Sequence, residues 1–267
     1  MRTIFLRKFI IIISVILIFS NCIREKIIEK EVDLHDTVWV PVTIPADSSY
    51  IRNGLVLFYD FNEDLKDHSG NHNDIIQSNF KFNTELKSKN RFVYFDGNST
   101  FGIINNSATL NPENAMSIAF WIKPIDYTGL GTEPIVLKPY TSHTSPYYQY
   151  LLGIAGNYGA APYNFTFDLC INGEYLGINS GAYTWEAGQW YFVVATYDGL
   201  SLKLFVNGTQ KKSLSAPGTI TTFDTDLYLG KQANFYDYSL GYVDNIRIYN
   251  RALTNSEVTV LYNATAK

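Results

Sequence analysis

The stretch that decides the fold is GYVDNIRIYNRALTNSEVTVLY, residues 241–262. Its first half alternates like a β-strand, and a period of two places Asp244 on the same face as the two isoleucines that follow it, which is the face expected to be buried. Its second half begins at Thr254 and has Glu257 three positions later, the spacing of a capping box ahead of an apolar helical run. The stretch therefore predicts a last strand followed by a short helix.

The chain from Gly54 onward consists of short apolar or alternating runs separated by turn signals. These turns are rich in Asp-Gly and Asn-Gly pairs, which tolerate a positive φ or form Asx turns. Few stretches keep a helical period for more than two turns. Many short strands favour an all-β sandwich or barrel. The clearest strand predictions are GLVLFYDF, RFVYF, MSIAFWIKP, YQYLLGIA, NFTFDLCI, QWYFVVATY, LKLFVNG and GYVDNIRIY.

Composition narrows the class of protein further. The chain has 267 residues, of which 46% are hydrophobic and 15% aromatic, so it can bury a large core. A single all-β domain of about 200 to 250 residues is within the normal range. The formal net charge is -4 and the basic residues are scattered after the N-terminus. Nucleic-acid binding is therefore a poor hypothesis, because it requires a basic stripe or patch.

The N-terminus has the layout of an export signal. Basic residues precede the apolar run 9–19, which is too short to span a bilayer comfortably, and Cys22 follows closely. The segment 18–22 resembles the lipobox of bacterial lipoproteins, although Asn21 departs from the small residue usual at its position. We expect residues 1–22 to be a lipoprotein signal peptide with lipidation at Cys22, and an ordinary signal peptide remains the alternative. The protein would then be exported and membrane-anchored, at the outer membrane or cell surface.

The segment that follows differs in composition from the rest of the chain. Residues 23–52 are charged and then contain Pro and Ser, which is typical of a tether that holds a domain away from a membrane. We expect the folded domain to occupy residues 53–267. The second cysteine, Cys170, lies in an apolar strand-like run and is interpreted as a small buried side chain.

Several blocks of the domain resemble a known family when they are taken in order. They are GLVLFYDFNEDLKDHSGNHND, YFDGNSTFGII, MSIAFWIKP, QWYFVVATYDGLSLKLFVNG, LYLGKQ and GYVDNIRIYNRALTNSEVTVLY. This order resembles the LamG-like jelly-roll domains of bacteria, in the concanavalin A-like lectin/glucanase superfamily, over nearly all of residues 54–262. The resemblance implies a two-sheet antiparallel jelly roll with one short helix. It does not fix a function, because the superfamily includes lectins, adhesion modules and glycosidases.

The carboxylate of Asp244 needs a partner if it faces the core, since an unpaired buried charge costs several kcal/mol. Calcium needs six to eight oxygen ligands, and relatives of this family can hold calcium at the sandwich edge. First and last strands are commonly neighbours in a jelly roll, so Asp67 or Asn71 could meet Asp244 around a structural calcium ion. The alternative is that Asp244 caps the Asp-His-Ser-Gly-Asn turn by accepting backbone N–H bonds.

Aromatic side chains are concentrated in the second half of the domain. Rings exposed on loops can stack on the C–H face of a sugar, although tyrosine is also favoured in sheets. We predict carbohydrate or glycoprotein contacts for five of these residues, Tyr147, Tyr148, Tyr158, Trp185 and Tyr236.

The sequence does not favour catalysis. Retaining glucanases of this superfamily place paired carboxylates on one strand in an E-x-D-x-E pattern, and no such pattern follows Gly54. The pair Asp224 and Asp226 has the spacing but lacks the glutamates. We therefore expect a surface or envelope lipoprotein whose domain binds carbohydrate or an extracellular protein. The alternatives are a structural protein of envelope assembly without glycan binding and, less favoured, a glycosidase.

Overall fold

The structure is a computed structural model, and it describes residues 49–84, 91–126, 132–142, 144–154, 164–233 and 238–267. A one-turn helix, α1 (Ser49–Arg52), precedes the strands, and a longer helix, α2 (Asn255–Ala264), follows them. A 3₁₀ turn spans Ala108–Leu110. None of the helices in these ranges is long and apolar enough to cross a membrane.

Most of the secondary structure consists of β-strands. In chain order they are β1 (Leu55–Tyr59), β2 (Ile75–Ser78), β3 (Lys81–Thr84), β4 (Arg91–Asp96), β5 (Gly102–Ile104), β6 (Met116–Pro124), β7 (Glu133–Pro139), β8 (Tyr148–Ile154), β9 (Phe165–Ile171), β10 (Glu174–Asn179), β11 (Tyr191–Tyr197), β12 (Ser201–Val206), β13 (Thr209–Ser215), β14 (Leu227–Leu229) and β15 (Leu240–Tyr249).

These strands form two antiparallel sheets. Sheet A has the order β13-β12-β11-β6-β15-β4-β3, with β1 also paired to β15, and sheet B has the order β10-β9-β8-β7-β14-β5-β2. The first and last strands are therefore neighbours, as the jelly-roll resemblance implies. The all-β, two-sheet prediction is confirmed.

The main core lies between the two sheets. It contains the residues of β6 and β11 that alternate inward from sheet A, such as Phe120 and Val193, and those of β8 and β9 that alternate inward from sheet B, such as Leu152 and Phe167. Both sets are fully buried. The faces turned away from this core are called here the outer face of sheet A and the outer face of sheet B.

Helix α2 packs on the outer face of sheet A and forms a second, smaller core. Val258 and Leu261 of the helix lie against Leu55, Trp121 and Phe192 of the sheet. The helix begins with the expected capping box, in which the Thr254 hydroxyl accepts the Glu257 N–H at 3.2 Å and the Glu257 carboxylate accepts the Thr254 N–H at 2.7 Å. The predicted helix is confirmed, and its cap fixes where it starts.

The expectation that Asp244 shares a face with the following isoleucines is wrong. Asn245 has a φ of 55°, and the register with β6 shifts between Asp244 and Arg247. This β-bulge adds one residue to β15 and reverses the alternation beyond it. Asp244 therefore pairs with Trp121 on the outer face of sheet A, whereas Ile246 belongs to the main core.

Candidate functional site

The outer face of sheet B carries an acidic residue in a buried position. Alternation along β9 turns Phe167 and Leu169 into the main core and turns Asp168 outward. Asp168 pairs with Leu151 of β8 and Gly177 of β10, yet it is only 3% exposed. Its carboxylate is thus covered on the side of the sheet where solvent would be expected.

Two hydroxyl groups donate hydrogen bonds to this carboxylate. Thr166 Oγ1 donates to Asp168 Oδ1 at 3.0 Å, and the Tyr175 hydroxyl donates to the same carboxylate. Burial nevertheless dominates and raises the pKa of Asp168 to about 7, although both hydrogen bonds lower it. The group therefore exchanges its proton near neutral pH, and in either state it holds the hydroxyl of Tyr175.

Glycine at position 177 makes this arrangement possible. A Cβ added there would lie 2.5 Å from Asp168 Oδ1 and 3.0 Å from the Tyr175 hydroxyl oxygen. Any larger residue would displace one of the two groups, so the absence of a side chain on β10 lets the tyrosine reach across the strand to the acid.

Three tyrosines form a cluster beside Asp168. The ring centroids of Tyr147 and Tyr175 are 5.9 Å apart, those of Tyr147 and Tyr148 6.1 Å, and those of Tyr148 and Tyr175 6.4 Å. Tyr147 is 38% exposed and Tyr175 is 41% exposed, so the cluster offers ring surface to solvent. Gln232 Nε2 donates to the Tyr148 hydroxyl at 3.1 Å and helps to fix that ring.

A second buried polar group lies on the neighbouring strand β8. Gln149 is fully buried, and its Oε1 accepts the Phe223 N–H at 2.8 Å. Its Nε2 has no hydrogen-bond partner in the part of the chain that the structure describes. Leaving a buried donor without a partner typically costs about 1 to 3 kcal/mol of folding stability.

The structure brings together only part of the predicted aromatic set. Tyr147 and Tyr148 lie in the cluster with Tyr175, which the sequence argument missed. The prediction that Trp185 contacts a ligand is wrong, because Trp185 is 2% exposed, packs in the main core and donates through Nε1 to the Asn164 carbonyl. Three further predicted positions, Tyr158, Tyr236 and the lipidation residue Cys22, lie outside the described residues.

The proposed calcium ligand Asp67 has no free oxygen to offer. Its Oδ1 accepts the N–H groups of Phe58 and Ser69, both at 2.9 Å. Its Oδ2 accepts the Ser69 hydroxyl at 2.7 Å and the Asn73 N–H at 3.0 Å. Four donors surround this carboxylate, so Asp67, and not Asp244, is the residue that caps the turn.

The other two predicted metal ligands also have protein partners. Asn71 Nδ2 donates to the Leu55 carbonyl at 3.2 Å and to Ser69 Oγ at 3.0 Å. The carboxylate of Asp244, a fully buried residue, binds the Lys267 ammonium and accepts the Asn245 N–H at 2.7 Å.

Within the described ranges, no hydrogen bond or ion pair joins Asp244 to the turn around Asp67. The same ranges contain no group of three or more His, Cys, Asp or Glu side chains that could hold a metal ion. These residues do not fit one shared calcium ion. Calcium binding stays a prediction, and melting with and without a chelator checks it.

A polar cluster that the sequence did not reveal lies in the middle of sheet B, where Lys138 of β7 pairs with Tyr150 of β8. Lys138 is fully buried, and its Nζ donates to Asn106 Oδ1 at 2.6 Å and to the Thr225 carbonyl. Burial lowers the pKa of Lys138 to about 8, against the attraction of Asp224 and Asp226. The Asp224-x-Asp226 spacing thus belongs to an ion cluster around a lysine.

Comparison with known proteins agrees with this architecture. The laminin G type 3 family model, described as the concanavalin A-like lectin/glucanases superfamily, matches residues 96–259, which is more than half of the chain. The chain belongs to this superfamily. No curated protein matches the chain.

Solved structures with the same fold are distant in sequence. The binding domain of Paraclostridial mosquitocidal protein 1 is 18% identical, with a TM-score of 0.64, over 80% of this chain and 53% of that one. The botulinum neurotoxin serotype D ligand-binding domain, solved with N-acetylneuraminic acid, is 19% identical, with a TM-score of 0.62, over 81% and 52%. The chain thus spans about half the length of these toxin domains.

A third structure matches over almost its whole length. It is domain 4 of AbnA, an extracellular arabinanase from Geobacillus stearothermophilus, solved in complex with arabinotriose. It is 19% identical to this chain, with a TM-score of 0.59, and the match covers 78% of this chain and 98% of that domain. At this level of identity the likeness establishes a shared fold.

Proposed function

We propose that the domain is a non-catalytic carbohydrate-binding module whose binding surface is the tyrosine cluster Tyr147, Tyr148 and Tyr175 on the outer face of sheet B. The observation that carries the proposal is the exposure of the Tyr147 and Tyr175 rings beside a buried acid, Asp168, that accepts the Tyr175 hydroxyl. A sugar offers an apolar C–H face to an aromatic ring, and the surrounding hydroxyl groups offer hydrogen bonds.

Preorganisation strengthens this hypothesis. Tyr175 is fixed through its hydroxyl to Asp168, and Tyr148 is fixed through its hydroxyl to Gln232. Rings that are already oriented lose little conformational entropy when a ligand stacks on them. Asp168 is therefore a positioning residue in this proposal.

The solved structures support a binding module as a class. One was solved with arabinotriose and another with N-acetylneuraminic acid. These two ligands give the first probes, a neutral oligosaccharide of arabinose and an acidic sugar. The proposal favours the neutral one, because the cluster offers ring faces and hydroxyl groups beside a carboxylate, which would repel a second anion when it is ionised.

The test measures binding of arabino-oligosaccharides, hexose oligosaccharides and N-acetylneuraminic acid to the full chain by titration calorimetry. Tyr147→Ala and Tyr175→Ala should each weaken the affinity for the bound sugar by about tenfold or more. Tyr183→Ala is a matched control, since Tyr183 is exposed, lies outside the cluster and shares the positive φ of Tyr147.

Two results would overturn the proposal. One is sugar binding that survives both cluster substitutions unchanged. The other is an absence of binding to any oligosaccharide together with stable co-purification of an envelope protein, which would favour a structural role in envelope assembly.

We also propose that the module is exported and anchored by lipid at Cys22, with the segment that follows as its tether; the end of that segment, Ser49–Arg52, forms α1, and Ile51 packs against the second core. Export and anchoring rest on the sequence layout alone. Cys22→Ala should move the protein from the membrane fraction to the soluble fraction, and an unchanged distribution would contradict lipidation.

A further inference from the structure

A small cavity lies between strand β1, strand β15 and helix α2, on the opposite side of the sandwich from the tyrosine cluster. Its volume is about 210 Å³. Its walls are mainly apolar and include Leu55, Phe58, Leu261 and Ala264. A cavity of this size is smaller than the sites of drug-sized ligands, which occupy about 300 to 1,000 Å³, so its ligand must be a small molecule.

Arg247 is the buried one of the two arginines that line this cavity. The residue is 7% exposed, and its guanidinium lies 4.1 Å from the centre of the Phe58 ring. Within the described part of the chain it donates one hydrogen bond, a long one of 3.3 Å from Nη1 to the Asn245 carbonyl. A guanidinium has five N–H donors and favours bidentate binding of a carboxylate or phosphate.

Two carboxylates of neighbouring elements, Asp244 and Asp60, attract Arg247 from beyond ion-pair distance, and both have other partners. Asp244, on the same strand, binds Lys267, and Asp60, which follows β1, accepts the Asn62 N–H at 3.1 Å. Arg247 forms no salt bridge within the described ranges. The second charge on the cavity wall, Arg52, is also positive, and its Nη1 donates to the His68 carbonyl at 3.0 Å.

We infer that this cavity is a second binding site, which takes a small carboxylate joined to an apolar chain of a few carbons, with the carboxylate on Arg247 and the chain against Leu55 and Leu261. The ligand supplies the negative charge that a buried guanidinium requires. Its apolar part replaces water on walls that offer few hydrogen bonds. This site is independent of the sugar-binding surface, because it lies on the other sheet.

The experiment compares three probes on the full chain, purified in detergent because residues 9–19 are strongly apolar. Hexanoate has both required parts, hexanamide has the chain without the charge, and acetate has the charge without the chain. The midpoint of thermal unfolding is followed at constant ionic strength as each probe is added, since a ligand of the folded state raises it. We expect a saturable rise with hexanoate and none with the other two.

Two variants locate the site. Arg247→Gln should weaken hexanoate binding by at least about tenfold. Because this change could disturb folding, Ala264→Leu provides an independent test: it keeps the arginine and fills the cavity from helix α2, and it should weaken binding to the same extent. Asn263→Leu is its control, since Asn263 is exposed on the same helix and does not line the cavity.

Equal responses to hexanoate and hexanamide would overturn the inference, as would hexanoate binding that Ala264→Leu leaves unchanged. A response to acetate equal to that of hexanoate would show a surface anion effect and would also overturn it.

Discussion

Removal of Lys267 from its ion pair with Asp244 should destabilise the domain strongly, because it leaves a buried carboxylate without its countercharge. The side chain of Asp244 is 1% exposed and that of Lys267 is 9% exposed. Lys267→Met keeps most of the apolar length of the lysine and removes its charge, so among the described residues the buried carboxylate keeps only the backbone and side-chain hydrogen bonds of Asn245. Breaking one side of a buried pair typically costs about 3 to 5 kcal/mol, because the remaining charge is uncompensated.

This cost can be measured as a thermal shift with a definite pH dependence. For a domain of this size 1 kcal/mol corresponds to about 2 to 4 °C, so the variant should melt roughly 6 to 20 °C below the parent at pH 7. Burial raises the pKa of Asp244, and the nearby ammonium lowers it. Without Lys267 the folded-state pKa rises further. The stability linked to a raised pKa is lost as pH rises through it, so the deficit is greatest at neutral pH and shrinks in acid.

Calorimetric melts of the parent and the variant at several pH values test this reasoning. Lys212→Met is the control, because Lys212 is exposed on β13 and its loss should change stability by less than about 0.5 kcal/mol. The double variant Asp244→Leu/Lys267→Met should recover most of the loss, since an apolar pair leaves no buried charge. A deficit at pH 7 below about 1 kcal/mol, or one that does not change with pH, would refute the ion-pair interpretation.

Two further predictions concern Asp168 and the helix cap. Burial raises the pKa of Asp168 from 3.8 to about 7, so the protonated side chain stabilises the folded state in acid and this stabilisation is lost between about pH 4 and pH 7. The free energy of unfolding should therefore fall by up to about 1.4 kcal/mol per pH unit in this window. Asp168→Asn should remove this pH dependence in urea titrations, and an unchanged pH dependence would exclude Asp168 as its source. Thr254→Ala should cost about 1 kcal/mol by removing the cap of α2, whereas Thr254→Ser should stay near the parent; equal losses in the two variants would count against the capping hydroxyl.

Local signals in the sequence predicted the fold well where they acted over a few residues. The spacing from Thr254 to Glu257 located the start of α2, and the alternation of apolar residues identified the strands. The same alternation failed at Asp244, because it assumes an uninterrupted pleat and Asn245 adopts a positive φ. Asparagine tolerates this region better than most residues, so Asn245 was the available signal for a bulge.

The candidate site was harder to predict because its residues are far apart in the chain. Tyr148 is the first residue of β8 and Tyr147 precedes it, whereas Tyr175 lies on β10 and meets them only through the pairing of β8, β9 and β10. The partner of Asp244 was missed for a similar reason, since Lys267 returns to the sheet only after helix α2. The sequence marked Trp185 as a ligand residue because composition does not distinguish a buried ring from an exposed one.

The bulge at Asn245 also affects which changes of length the last strand can accept during evolution. Replacement of Asn245 by glycine or aspartate would keep the extra residue and the backbone conformation it needs. Deletion of Asn245 would remove the extra residue, so Asp244 and Ile246 would become consecutive in a continuous pleat and each would keep its present face. A valine at this position would instead keep the extra residue while disfavouring the positive φ of the bulge. A continuous pleat with the extra residue retained exchanges the two faces on one side of position 245, so the loss of this codon should be less damaging than its replacement by a valine codon.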